Sequence, residues 1–250
     1  MRGVPRPAAR GPRPGPLTPR RRRGVERLDE PGVDPALRLR SLRDVARSNV
    51  LFGGRRAVLL AVERALQDIR FERRPATLLD VGTGLGDIPD AARRLARRRG
   101  VSLAAIGLDV AEELAHAAGR RVGLALCGDA FRLPFADRSL DIVTCSQVLH
   151  HFPEPDARRL LAELDRVARV RVIVGDLRRS WVAAAGFWAA SWPLGFHPVT
   201  RHDGVLSVLR GFTAGELARL VREATGTAAR VTHRAGWRLT AEWTPRERTA

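Results

Sequence analysis

The run LLDVGTGLGD, residues 78–87, limits what this chain can fold into more than any other stretch. An apolar run leads into glycines at alternate positions, Gly82, Gly84 and Gly86, so a buried strand ends in a turn with almost no side-chain bulk. Such a turn, followed by the helical pattern Ile88 to Arg99, lets backbone amides approach a ligand closely. The dinucleotide fingerprint G-x-G-x-x-G would place its last glycine at position 87, where this chain has Asp87, a poor helix start for a pyrophosphate. An acid beside a glycine turn suits a ligand with a cationic amino group better, and an NAD(P)-dependent oxidoreductase is disfavoured.

Around this turn the apolar residues recur in two rhythms. Steps of three and four residues through Leu39, Leu42, Val45 and Ala46, then Val58, Val62, Leu66 and Ile69, predict two amphipathic helices as an N-terminal cap over 36–70. Short β-like runs follow at 77–82, 103–109, 122–127, 140–145 and 170–175, with helical patterns at 88–99, 111–118 and 155–168. Two closing runs, 229–233 and 237–243, predict a hairpin turning at Ala235-Gly236. Strands that are apolar throughout and alternate with helices predict an α/β fold, a doubly wound and mostly parallel seven-stranded sheet. Thr213 and Glu216 predict a capping box opening the last helix.

The net charge of +17 invites a nucleic-acid reading until its distribution is considered. Residues 1–24 hold eight of the arginines, six prolines and no acid, which leaves +9 on the remaining 226 residues. All 44 basic residues are arginine and tyrosine is absent, a pattern of coding bias rather than of a designed basic surface. Lacking apolar content, residues 1–24 are expected to be a disordered tail, with a domain over 25–250. No apolar signal core follows Met1, so the chain is expected to be cytoplasmic. Cys127 and Cys145 are expected as free thiols, and no Cys/His cluster has metal-ligand spacing, so no metal is expected.

The sequence Asp80 to Gly86 completes the D-x-G-x-G-x-G pattern and resembles motif I of the class I S-adenosylmethionine-dependent methyltransferases. Further stations of that family follow in order: AIGLDV ending the second strand, CGDAFRLPF after the third, and RSLDIVTCSQVLHHF through the fourth. The resemblance covers roughly residues 38–243. It implies S-adenosylmethionine as cofactor, with Asp80, Gly82, Thr83, Gly84 and Gly86 cradling it. It also implies ribose contacts from Asp109 with Val110 beside it, adenine contacts from Asp129 and Ala130, and Gln147 near the methionine part.

The methyl acceptor is expected in the segment 177–212, where such enzymes carry a substrate lid. Trp181, Trp188 and Trp192 fall on one helical face there, with Phe187 alongside. The run is too short and interrupted to cross a bilayer. Its greasy character points to an apolar small molecule, phenolic, polyketide, quinone or lipid-like, with transient membrane contact as a further use of the face. The resemblance is to quinone and polyketide tailoring enzymes of secondary metabolism, methylating oxygen or carbon. His151, after the fourth strand, and His202, beside Asp203 in what reads as a polar turn at 196–204, are the candidate catalytic bases. The alternatives are a non-catalytic or regulatory protein on the same fold, and an RNA methyltransferase. The second is disfavoured by the absence of an Asn/Asp-Pro-Pro-aromatic motif after the fourth strand, so no specific nucleic-acid partner is expected. The residues do not decide the oligomeric state.

Overall fold

The computed structural model describes residues 15, 17–30, 32–69 and 74–246. Two helices open the fold, α1 (Pro35–Leu51) and α2 (Gly54–Asp68), separated at Gly53, whose φ of 76° lies in the left-handed region that glycine tolerates. They fall within the residues 36–70 read as two amphipathic helices, α1 beginning one residue earlier. The alternating core follows with β1 (Ala76–Val81), α3 (Asp87–Arg98), β2 (Leu103–Asp109), α4 (Glu112–Val122), β3 (Ala125–Cys127), β4 (Leu140–Ser146), α5 (Glu154–Val167) and β5 (Ala168–Leu177). Two helices at the place of the expected lid, α6 (Trp181–Ser191) and α7 (Pro198–Arg210), precede α8 (Ala214–Thr225) and the hairpin β6 (Arg230–Arg234) and β7 (Arg238–Trp243).

The seven strands make one sheet in the order β3-β2-β1-β4-β5-β7-β6. Strands β1 to β5 pair in parallel, while β7 runs antiparallel to both β5 and β6. The winding therefore reverses between β1 and β4, and a crevice opens at the carboxyl ends of these strands. Sheet residues Leu79, Val143 and Val172 pack with Leu160, Leu161 and Leu164 of α5 and Leu217, Leu220 and Val221 of α8. The opposite face, with Leu78, Ile142 and Ile173, packs on Val58, Ala61 and Val62 of α2 and Ile88 and Ala92 of α3. Both faces are thus covered, which is why the strands read as apolar throughout.

Three expectations are corrected. The third strand is only Ala125–Cys127, because α4 continues to Val122 and ends at Gly123 with φ of 90°. The segment expected as a polar turn at 196–204 is instead mostly the first turns of α7; His197 caps it, its Nδ1 accepting from the Val199 amide at 3.3 Å, and Pro198 occupies the first helical position.

The third correction concerns the N-terminal tail. Residues 1–14 and 16 lie outside the described residues, but 17–24 dock on the fold. The Trp181 amide donates to the Leu17 carbonyl at 3.0 Å, and the Arg22 amide to the Leu209 carbonyl at 3.1 Å. Arg21 donates to the carbonyls of Arg210 (2.7 Å), Phe152 (3.1 Å) and His150 (3.3 Å), and its guanidinium lies 4.2 Å from the centroid of the Phe212 ring. Composition counted only apolar content; it did not count an arginine's five donors satisfying carbonyls at the ends of α7 and of the turn after β4.

Candidate functional site

The glycine turn lies at the end of β1 as the sequence places it. Gly82, Gly84 and Gly86 have φ of 68°, 54° and 70°. A Cβ on Gly82 would stand 2.4 Å from Val148 Cγ2, so that glycine admits the loop after β4. A Cβ on Gly84 would meet nothing within 4 Å, so its face is open towards the crevice. Asp109, at the end of β2, accepts from the Gly84 amide at 2.8 Å and from the Ala111 amide at 3.1 Å, tying the second strand to the turn. Burial raises its pKa against these amides. Val110 beside it is 78% exposed, a bare apolar side chain at the crevice rim. Asp129 folds onto its own loop, accepting from the Phe131 amide at 2.9 Å; Ala130 packs against the core.

Two further carboxylates stand below the turn. Asp80 is fully buried between the hydroxyls of Thr144 (2.6 Å) and Thr83 (2.9 Å), and its burial outweighs them to raise its pKa to about 7. Asp87 is also raised by burial, and its Oδ2 is buried with no hydrogen-bond partner among the described residues. An orphaned carboxylate oxygen beside an open glycine turn is what a ligand carrying an ammonium group would satisfy. The residues present therefore fit S-adenosylmethionine, whose amino acid part carries that group, better than a dinucleotide.

A second feature adjoins the crevice. A cavity of about 280 Å³ lies between α1, α6, α7 and the β6–β7 turn, walled mainly by Val45, Phe52, Leu177, Val182, Phe187 and Trp237. Gln147 connects it to the end of β4. It has φ of 57°, a left-handed conformation uncommon for its type, and its Oε1 accepts from Arg238 Nη1 at 3.3 Å. The inner side of α6 faces the cavity through Val182, Ala183, Gly186 and Phe187, whereas Trp188 and Trp192 are 52% and 56% exposed on its outer side.

At the polar end of the cavity stands Glu26, which the sequence reading did not single out. It is buried, and its Oε1 accepts from Ser207 Oγ at 2.6 Å and from Arg210 Nη1 at 3.3 Å. Behind it, His150 Nδ1 lies 2.7 Å from Asp176 Oδ1, and His150 Nε2 faces Glu26 Oε1 at 3.7 Å, an ion contact too long for a hydrogen bond. Burial alone would lower the His150 pKa, but Asp176 and Glu26 raise it to about 9. Burial would likewise raise Glu26, yet His150, the charge of His151 and Ser207 bring it down to about 2. His151 Nε2 lies 3.9 Å from Glu26 Oε2, and its ring stacks on His150 with centroids 4.4 Å apart. Glu26, His150 and His151 bring ligand-type atoms within 4.8 Å of one another. The Arg210 guanidinium already supplies a cation on Glu26, so the group is self-neutralised rather than vacant for a metal.

His202 is placed less centrally. Its Nδ1 lies 2.8 Å from Asp203 Oδ1, as the His-Asp spacing anticipates, but its side chain is 49% exposed and Asp203, not His202, borders the cavity. Asp203 in turn accepts the amides of Arg27 and Leu28 at 3.1 and 3.0 Å, so it anchors the segment that carries Glu26. The sequence held one signal of Glu26, the first acid after the arginine run, with no local pattern to show that it returns to α7.

Comparison with known proteins meets this geometry. Residues 79–174 match the family described as Methyltransferase domain. Demethylmenaquinone methyltransferase of Thermotoga maritima is 36% identical over 104 residues, a match covering 41% of this chain and 43% of that relative. The chain thus matches less than half the length of this curated relative. Among solved structures, a SAM-dependent methyltransferase from Aquifex aeolicus superposes with a TM-score of 0.52 at 20% identity, covering 79% of this chain and 96% of that one. Magnesium protoporphyrin IX methyltransferase from Synechocystis PCC 6803, with bound SAH, gives 0.52 at 15% identity, covering 79% and 85%. The sheet order, the glycine turn at the winding reversal and the matched stretch converge: this chain has the class I S-adenosylmethionine-dependent methyltransferase fold, and its residues 79–174 are similar to the methyltransferase domain family.

Proposed function

We propose that the chain transfers the methyl group of S-adenosylmethionine to an apolar small molecule bound in the cavity beneath α6 and α7. The observation that carries this reading is Gln147, which directly follows β4 beside the crevice and lines an apolar cavity large enough for a bicyclic molecule. Asp80, Gly82, Thr83, Gly84 and Gly86 cradle the donor, with Asp87 at its ammonium group. Asp109 and Val110 meet the ribose side, Asp129 and Ala130 the adenine, and Gln147 the methionine part. When bound, the donor supplies an activated methyl; the protein's part is to align the acceptor and exclude water.

The walls suit a phenolic, polyketide, quinone or lipid-like acceptor, and likeness to a quinone methyltransferase over 104 residues agrees with that class. Neither candidate histidine lines the cavity: His151 stands beside Glu26, which does, and His202 acts through Asp203. The outer face of α6, with Trp188 and Trp192 and the Arg201 guanidinium 3.6 Å from the Trp192 ring, is suited to a transient contact with a membrane surface. No helix among the described residues is long and apolar enough to cross a membrane, and we place the protein in the cytoplasm.

Incubation with methyl-labelled S-adenosylmethionine and a panel of apolar phenols and reduced quinones tests the reading. Label is expected in at least one of them. Asp109→Ala is expected to weaken donor binding by roughly 1 to 3 kcal/mol, the range for a hydrogen-bonded charged group, whereas His202→Ala lowers turnover and spares donor binding. Donor binding with no transfer to any acceptor would mark a binding protein on an enzyme's fold.

A further inference from the structure

The floor of the acceptor cavity is built from four elements distant in sequence. Glu26 comes from the N-terminal segment, His150 from the turn after β4, Asp176 from β5, and Ser207 and Arg210 from α7. Such convergence around one buried carboxylate is more than the N-terminal strap, residues 17–30, needs for anchoring, since Asp203 already fixes it through the amides of Arg27 and Leu28.

We propose that Glu26 reads the acceptor: its carboxylate receives the hydrogen bond of a hydroxyl on a neutral, apolar molecule, and the His150–Asp176 pair behind it is the positioning device that holds it in place. This rests on the methyltransferase reading and narrows its substrate class. Most other polar groups of the cavity are engaged, although Arg238 Nε is buried with no hydrogen-bond partner among the described residues. Thr200 Oγ1 donates to Asp44, Ser48 Oγ to the Val45 carbonyl, and Arg238 Nη1 to Gln147; Asp203 accepts two backbone amides. Glu26 gives Oε1 to Ser207 and Arg210, while its Oε2 faces His151 beyond hydrogen-bond reach, at 3.9 Å. A carboxylate oxygen on an apolar wall has most to gain from an O–H donor.

The charges argue for a neutral partner. Glu26 and Asp176 are balanced by the His150 imidazolium and the Arg210 guanidinium, so a ligand needs to bring no cation. His151 and the Arg21 side chain, on the His150 carbonyl, stand on the same side, with Asp203 along α7 and Arg238 across the cavity. A carboxylate or phosphate on the acceptor would meet both Glu26 and Asp203, two carboxylates against the single guanidinium of Arg238 among the described lining residues. The pH behaviour follows from the same contacts. The Glu26 pKa, about 2, lies below its ordinary value, so the ionised carboxylate persists across the neutral and mildly acidic range. Without His150, burial is opposed by fewer partners and protonation moves to higher pH.

The test is fluorescence titration of the full chain with 2-naphthol, 2-methoxynaphthalene and 2-naphthoate from pH 5 to pH 8, with S-adenosylhomocysteine binding measured on each variant. The wild type should prefer 2-naphthol over its methyl ether by about 10- to 100-fold, the range for a hydrogen bond to a charged group, and bind 2-naphthoate more weakly than 2-naphthol. Glu26→Gln should bring the preference to within about threefold without changing S-adenosylhomocysteine binding. His150→Gln should keep the preference near pH 8 and lose it towards pH 5, a pH profile that a purely structural role would not produce. If His150→Gln does not fold, the Glu26→Gln ratio decides alone. Equal binding of naphthol and ether, no binding of naphthol, a retained preference in Glu26→Gln or a flat profile in folded His150→Gln would overturn the proposal. With S-adenosylhomocysteine binding intact, any of these leaves the methyltransferase reading standing; absent S-adenosylhomocysteine binding would bring down that reading instead.

Discussion

Asp80 shows how one side chain links burial to ligand binding. Its pKa of about 7 lies above the ordinary carboxylate value, because burial costs more than the two threonine hydroxyls return. A pKa raised in this way contributes stability fully below the unfolded value and loses it as the pH rises through 7. A ligand ammonium near Asp80 and Asp87 favours the ionised forms, so binding below pH 7 must expel a proton. Affinity for S-adenosylhomocysteine is therefore expected to fall by about tenfold per pH unit below 7 and to level off above it. Calorimetry in two buffers of different ionisation heat would show the released proton; pH-independent binding would place the ammonium elsewhere. At this scale the sequence was legible where chemistry is local. Asp80, Gly82, Gly84 and Asp109 stand together at the winding reversal because their spacing fixes them on one strand end and its neighbour. Glu26 was not legible, since its partners His150, Ser207 and Arg210 lie 124 to 184 residues away along the chain.

Among the elements, those with an internal signal were readable and those defined by docking were not. The α8 capping box is present in full, Thr213 Oγ1 accepting from the Glu216 amide and Glu216 Oε2 from the Thr213 amide at 2.8 Å, because both partners lie within one turn. The closing hairpin is likewise where alternating residues put it. By contrast, α7 was obscured by its polar opening, Thr200 to Gly204, whose Asp203 is buried against the strap rather than exposed in a turn. The strap is held by arginine donors on carbonyls, with Arg179 reaching the Pro19 carbonyl at 2.7 Å while bound to Glu216. Arg21→Ala removes three such bonds and a ring contact. Each kcal/mol lost lowers the unfolding midpoint of a domain this size by about 2–4 °C, so a drop of a few degrees is expected, with trypsin cutting the strap before the core. Unchanged proteolysis would mean that Leu17, Pro19 and Arg22 hold the strap without Arg21.

For the whole molecule, fold class and topology were readable because seven strands in one sheet leave a strict apolar rhythm, whereas the apolar cavity beside the crevice was not. That cavity depends on α6 and α7 folding over the sheet end and on the N-terminal segment returning with Glu26, contacts with no periodic signature. The net charge of +17 contributes little to this picture: several arginines are spent on internal carboxylates and carbonyls, as Arg64 on Glu242 and Arg166 on Glu163 and the Leu133 carbonyl. On the proposed function, the glycine turn at 82–86 holds a nucleoside bearing an amino acid rather than a dinucleotide. Calorimetric titration of the protein with S-adenosylhomocysteine, and with NAD as control, measures it most directly. Stoichiometric binding of S-adenosylhomocysteine and none of NAD is the predicted result; a folded protein that binds NAD, or neither ligand, would contradict it.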